Sequence, residues 1–148
     1  MSYVRRTHRF RHAIESALGD DDESGWSLDR IAPIAAIDVA DLGLTPLPET
    51  DFSVPFQTSA RRLGAFYVLE GSALGARLLV RRAEAIGLSA DFGARHLARQ
   101  SSAPRRWRAF LAVLEDLPAN DHEAAVAAAR DTFRLALSIY SETADEFA

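Results

Sequence analysis

Apolar residues recur every three to four positions along most of the chain, and strict alternation of apolar and polar residues is almost absent. This spacing is typical of amphipathic helices rather than strands. It predicts a first helix over 2–18, which ends at Gly19 and the acidic run that follows it. Its apolar stripe comprises Tyr3, Thr7, Phe10, Ile14, Ala17 and Leu18.

The same pattern predicts four further helices. The second begins at Ser27, a suitable N-cap residue, carries Pro33 in its early turns and ends at 41–44. Prolines make 45–56 an irregular connection, and the third and longest helix spans about 58–86. Segment 89–102 is a short helix or an irregular turn, and a fourth helix lies within 103–118.

A fifth helix, capped by Asn120 or Asp121, is predicted within 120–147. Its apolar stripe, which we expect to face the core, comprises Val126, Ala129, Phe133, Ala136, Leu137 and Tyr140. A chain of 148 residues is long enough for one core. The sequence therefore predicts an all-α fold in which residues 1–148 form a single helical domain.

Composition narrows the chemistry. The chain has no cysteine, which excludes disulfides, a thiolate nucleophile and cysteine-ligated metal. A net charge of −4 does not indicate a nucleic-acid-binding protein. No apolar run is long enough to predict a membrane span, and the N-terminus lacks the apolar core of a secretory signal. We therefore expect a cytoplasmic protein without nucleic-acid or membrane partners.

The third helix contains three glycines within LGAFYVLEGSALGARLL, residues 63–79. Each glycine inside a helix costs about 1 kcal/mol relative to alanine. On a helical wheel Gly64, Gly71 and Gly75 share one smooth side with small residues, where a neighbour can approach the backbone closely. This side of the helix, which we call the glycine strip, could pack against another helix or bind a broad flat ligand. Alternatively, Gly71 and Gly75 could mark a bend in the helix.

Glu70 lies near the centre of the adjacent apolar side of this helix, among Leu63, Phe66, Tyr67 and Leu74. A buried carboxylate without a partner is costly. We therefore expect Glu70 to have an arginine or backbone N–H partner. A structural ion pair, with an arginine of its own helix or one elsewhere, is the simpler interpretation, and an acid–base role is the alternative.

The segment GAFYVLEGSALGA, residues 64–76, resembles the distal-helix segment of bacterial, biliverdin-producing heme oxygenases. RIAPIAAIDVADLGL before it, and RRWRAFLAVLEDLP and AARDTFRLAL after it, resemble other segments of that family in the same order. The resemblance implies an all-helical fold with a glycine-kinked central helix. It also implies that heme lies between a proximal and a distal helix and is opened by O₂ and electrons to biliverdin, iron and CO.

By this resemblance, Gly71 and Gly75 let the backbone contact the porphyrin, and Ser72 stands where the animal enzymes carry an aspartate that organises distal water. Phe66 is a further candidate heme contact on this helix. Arg130 and Arg134 on the last helix are candidate partners of the heme propionates, because guanidinium groups suit carboxylates.

The helix YVRRTHRFRHAIESAL, within 3–18, resembles the second helix of the family, so no residue here matches its proximal histidine. His8 and His12, spaced i, i+4, are the nearest substitutes as metal ligands. Surface positions are the simpler interpretation for them and for His96 and His122. The sequence identifies no catalytic residue.

Three hypotheses remain open at this level. The chain is a heme oxygenase, whose iron ligand comes from His8, His12, a partner chain or residues upstream. Alternatively, it is a non-catalytic member of this fold that binds a tetrapyrrole or a protein partner, for example a bacteriophytochrome or its histidine kinase. A homodimer could then cover core exposed by a missing helix. The third hypothesis is an unrelated helical protein that matches the glycine segment by chance.

Overall fold

The computed structural model describes residues 2–52, 56 and 58–141, and these residues form helices and connections without a strand. A 3₁₀ turn at Ala119–Asp121 precedes the last helix. The prediction of an all-α fold is confirmed. The six α-helices are α1 (Ser2–Leu18), α2 (Ala32–Asp41), α3 (Ser59–Ala85), α4 (Arg95–Ser101), α5 (Arg106–Glu115) and α6 (His122–Tyr140).

Helix α3 is the central element. It packs against α4, α5 and α6, while α1 packs against α2 and α6. The core forms where α1, α3, α5 and α6 meet, and its largest fully buried side chains include Ile14, Leu63, Phe66, Leu69, Phe110 and Ile139.

The ends of α1 and α3 agree with the prediction. Gly19 follows α1 with φ of +72°, and Gly87 follows α3 with φ of +89°, a conformation that glycine adopts without strain. Thr58 caps α3 by accepting a hydrogen bond from the backbone N–H of Arg61 at 3.2 Å. Local residue chemistry is therefore sufficient to place these boundaries.

Helix α2 begins at Ala32, five residues later than predicted. Its first N–H groups are satisfied by Glu15 of α1, whose carboxylate accepts from Ile31 at 3.0 Å and from Ala32 at 3.1 Å. Arg11 holds that carboxylate at 2.8 Å. A residue distant in sequence replaces the expected N-cap at Ser27, and this is why the prediction was wrong.

The predicted apolar stripe of α6 is divided: Ala136 and Tyr140 pack against the core, whereas its other large side chains face outward. Val126, Phe133 and Leu137 are 49%, 55% and 54% exposed. The buried face instead carries Ala125, Ala128, Thr132, Leu135 and Ile139. Helix α6 is apolar on two faces, and its smaller residues let it pack closely on α3.

Helix α3 is the one helix in the described part of the chain that is long and apolar enough to cross a membrane. It also carries nine buried residues, including Glu70, that contribute to the bundle core. The core helix of a globular bundle has the same length and composition. Its helical assignment runs through Gly71 and Gly75 without a break at the predicted bend.

Candidate functional site

An apolar groove runs between α3 and α6, and the exposed residues Val126, Phe133 and Leu137 line its α6 side. It has two compartments of about 540 Å³ each, which share Tyr67, Val68 and Phe133. We call the first the Arg130 compartment; besides Arg130 it is lined by Gly64, Leu114, His122 and Val126. We call the second the Tyr140 compartment; besides Tyr140 it is lined by Tyr3, Gly71, Ser72, Leu74, Trp107 and Leu137. Each falls in the size range of ligand sites, about 300–1,000 Å³.

The three glycines of α3 have three different environments. A Cβ on Gly64 would lie 2.1 Å from the carbonyl oxygen of Ala125, so α6 packs directly on the backbone there. A Cβ on Gly71 would lie 3.3 Å from Cη2 of Trp107, and one on Gly75 would meet nothing within 4 Å. Helix packing therefore explains Gly64, whereas the backbone at Gly75 is open.

Glu70 precedes these two glycines and forms the predicted ion pair, with a partner outside α3. Arg106 of α5 holds its carboxylate with two hydrogen bonds of 2.7 and 3.0 Å. The same guanidinium donates to the carbonyl of Ser27 and lies 4.4 Å from the ring centroid of Trp26. This contact fixes the rotation of α3 and hence the direction that Gly71 faces.

Ser72 lines the Tyr140 compartment. Its hydroxyl donates to the carbonyl of Leu69 at 2.6 Å and accepts from the amide of Gln100 at 2.8 Å. Gln100 in turn lines a small polar cavity of about 20 Å³ behind α3, beside Arg11 and Glu70. A space of this size holds about one water molecule.

The histidines proposed as metal ligands lie away from the groove. His8 and His12 stack on each other at 5.7 Å on another face of α1, and His12 contacts Glu49 at 3.2 Å. At about 100° per residue, His8 and His12 lie about 100° and about 140° around α1 from Thr7, which is buried. No group of three or more acidic or histidine side chains among the described residues is placed to hold a metal ion.

The prediction that His96 lies on the surface is wrong, because it is 1% exposed. Its Nδ1 lies 2.6 Å from the carboxylate of Asp38, which also accepts from the backbone N–H groups of Arg95 and His96 at 2.9 Å. Asp38 thereby satisfies the start of α4. This pair was missed because its two members are 58 residues apart; the aspartate within the apolar run of α2 was the available signal.

Comparison with known proteins agrees with this geometry. The family model for heme oxygenase matches residues 53–142, more than half of the chain. The heme oxygenase PigA of Pseudomonas aeruginosa is 42% identical over 145 residues, covering 88% of this chain and 70% of the relative. The chain belongs to the heme oxygenase family.

Two further heme oxygenases support the assignment. One, from Xanthomonas campestris, is 37% identical over 120 residues, which cover 76% of this chain and 69% of the relative. The NO- and CO-bound heme oxygenase of Neisseria meningitidis has a TM-score of 0.77 and 25% identity, over 97% of this chain and 77% of that one.

Arg130 and Arg134 are the candidate partners of the heme propionates. Arg130 lines the groove. The Arg134 side chain, one turn further along α6, is 76% exposed and lies 3.9 Å from Asp131. Phe66 lines neither compartment and is fully buried in the core. It lies five residues before Gly71, about 140° around the helix, and therefore points away from the groove.

Proposed function

We propose that this chain binds heme in the α3–α6 groove and catalyses its O₂-dependent cleavage to biliverdin, iron and CO. One observation carries the proposal: on the helix with the family's glycine segment, the bare backbone of Gly71 lines an apolar compartment of about 540 Å³, and one turn further along a Cβ on Gly75 would meet nothing within 4 Å. A flat macrocycle needs such a wall, because a side chain there would hold it away from the helix.

The residues of the groove fit the ligand. Its lining is apolar and aromatic, as a porphyrin face requires, and Arg130 offers a guanidinium for a propionate at one end. Arg134, exposed on α6, serves as the second propionate partner. Bound heme would be the substrate and would also supply the iron that binds O₂. Ser72 and Tyr67 are the hydroxyl-bearing residues of α3 that line the Tyr140 compartment.

Few side chains of the groove could hold the heme iron. His8, His12 and His96 do not line the groove, and His122 is the histidine that does so in the described part of the chain. We propose that iron is ligated either by His122 or by a side chain that enters the groove from outside the described residues or from a second chain. The ferric heme absorption spectrum of His122→Ala separates these cases, because it should differ from that of the wild type only if His122 is the ligand.

Hemin titration of the purified chain tests the binding step. We expect a saturable Soret band, a modest loss of affinity in Gly75→Ala and a loss of at least tenfold in Gly75→Leu, because leucine fills the space that the macrocycle needs. Arg81→Leu, an exposed position of the same helix outside the groove, is the matched control. Wild-type affinity in Gly75→Leu would contradict the site.

Turnover is tested by adding a reductant and O₂ to the loaded protein, and by following release of a bilin and of CO. Saturable binding without bilin release would favour the alternative of a non-catalytic tetrapyrrole-binding protein. Absence of saturable binding would exclude both.

The exposed α6 stripe supports one further part of the proposal, a homodimer that covers the groove. Phe133 and Leu137 are more than half exposed, and apolar surface of this kind is usually covered. Light scattering with and without hemin tests it, since heme and a second copy compete for the same surface. A cytoplasmic location and a phytochrome or histidine-kinase partner remain predictions of the sequence.

A further inference from the structure

Two aromatic side chains of the groove wall are in contact with each other, and the proposed reaction assigns them no chemistry. The rings of Tyr67 on α3 and Trp107 on α5 lie 5.3 Å apart between centroids, edge to face. Both residues line the Tyr140 compartment. Tyr67 also lines the Arg130 compartment and is 45% exposed, whereas Trp107 is half-buried. A reactive species formed in the groove therefore has access to both rings.

The composition of the chain draws attention to this pair. The chain has no cysteine, and its single methionine is residue 1. The side chains that most readily lose one electron within the fold are therefore those of its two tryptophans and three tyrosines. Among the described residues, Tyr67 and Trp107 are the tyrosine and the tryptophan whose rings are in contact. An oxidant in the groove meets no thiol and takes its electron from such a ring.

The neighbours of Trp107 determine where its oxidation can move. Phe110 lies 6.3 Å from Trp107, and Trp26 lies 5.2 Å beyond Phe110. A phenyl ring gives up an electron much less readily than an indole or a phenol. The guanidinium of Arg106 lies 4.4 Å from the ring centroid of Trp26, and this cation opposes a positive charge on that ring. Oxidation of Trp107 is therefore directed to Tyr67.

We propose that Trp107 and Tyr67 form an electron-donor pair that quenches one-electron oxidants in the groove, and that the oxidation comes to rest on Tyr67. Trp107 gives one electron to the oxidant and its indole N–H proton to water, which leaves a neutral indolyl radical. Tyr67 then gives this radical one electron and loses its phenolic proton to water, while the indole regains a proton. A small enediol reductant such as ascorbate restores the phenol with one electron and one proton. The inference goes beyond the proposed function and rests on it for the source of the oxidant.

Transfer between the two rings can be measured without heme. Azide radicals, generated by pulse radiolysis, oxidise tryptophan in preference to tyrosine and are themselves reduced to azide ions. The radicals of tryptophan and tyrosine have distinct visible absorption bands. In Trp26→Phe, Trp107 is the sole tryptophan. We expect its radical to decay with first-order kinetics, independent of protein concentration, while a tyrosine radical forms in matching yield.

A second substitution identifies the tyrosine. Adding Tyr67→Phe to Trp26→Phe should abolish the first-order phase, because the phenol in contact with Trp107 is gone. Adding Tyr140→Phe instead is the matched control and should retain it, since Tyr140 lines the same compartment but has its ring contacts with other residues. Retention of the phase after Tyr67→Phe, or its loss after Tyr140→Phe, would overturn the inference.

The role in the groove is tested with the hemin-loaded chain and tert-butyl hydroperoxide, without added ascorbate. Each hydroperoxide takes up two electrons and two protons to give an alcohol and water, so electrons are drawn from the protein. We expect a tyrosine-radical EPR signal that is lost in Tyr67→Phe, and mass spectrometry should show more oxidation of the other groove residues in that variant. Equal oxidation of the groove in wild type and Tyr67→Phe would overturn the inference. If hemin does not bind, the proposed function fails, whereas the radiolysis experiment still decides whether Trp107 and Tyr67 act as a pair.

Discussion

Gly64 lies directly beneath the backbone of Ala125, so close that a Cβ on Gly64 would come within 2.1 Å of the Ala125 carbonyl oxygen. Helix α6 is thereby fixed against one end of the glycine strip. Gly75, at the other end of the strip, meets nothing within 4 Å. The glycines of this segment thus have different environments: α6 packs closely on Gly64, whereas the backbone at Gly75 is open.

This difference between Gly64 and Gly75 predicts that substitution by alanine has opposite effects on the free energy of unfolding at the two positions. Gly64→Ala should lower the free energy of unfolding by about 1–3 kcal/mol, because the methyl group forces α6 away. Gly75→Ala should raise it by up to about 1 kcal/mol, since alanine favours the helix and meets no atom. Urea denaturation of both variants measures this. Equal effects in the two variants would mean that α6 does not rest on Gly64.

The ion pair of Glu70 with Arg106 should contribute measurably to stability. Arg106→Ala leaves a carboxylate that is 4% exposed without its partner and should cost about 2–3 kcal/mol, a value reduced because Arg106 itself is 31% exposed. Arg106→Lys keeps the charge but loses the two-pronged contact and should cost about half as much. Chemical denaturation compares them, and equal losses in both variants would show that the guanidinium geometry is unimportant.

The orientation of α6 can be tested by polar substitution on its two faces. Phe133→Ser and Leu137→Ser should change the free energy of unfolding by less than about 0.5 kcal/mol, because both side chains are more than half exposed. Ile139→Ala, at 1% exposure, should cost about 2–5 kcal/mol. If Phe133→Ser were as damaging as Ile139→Ala, the predicted stripe would face the core after all.

Tyr140 should make the fold sensitive to alkaline pH. Its pKa is raised in the folded protein, mainly by burial, above the ordinary value of 10.0. Above pH 10 the unfolded chain therefore loses this proton first, and stability falls as pH rises further. Tyr140→Phe should lose less stability between pH 9 and 11 than the wild type, as measured by thermal unfolding. Tyr67→Phe serves as the comparison, and identical pH profiles for wild type and Tyr140→Phe would contradict the burial of this hydroxyl.

Much of the site could be predicted from single segments of sequence. The cost of glycine inside an apolar helix drew attention to Gly71 and Gly75, and the resemblance to the heme oxygenase distal helix made them and Ser72 candidate site residues. The existence of a partner for Glu70 followed from the cost of an isolated buried charge, but Arg106 could not be chosen, since it lies 36 residues away. The hydrogen bond between the hydroxyls of Thr7 and Tyr140 was missed for the same reason, because these residues are 133 positions apart.

The sequence by itself determined the helices, since the periodicity of apolar residues, the Thr58 cap and the glycines after α1 and α3 act within a few residues. Tertiary structure decided which face of α6 is buried, because that helix is apolar on both sides and its packing on α3, including Ala125 on Gly64, and on α1 selects one. It also decided that His96 is buried, because Asp38 satisfies the imidazole and the start of α4 together. Local forces select the elements, whereas distant partners select the surfaces that remain open to a ligand.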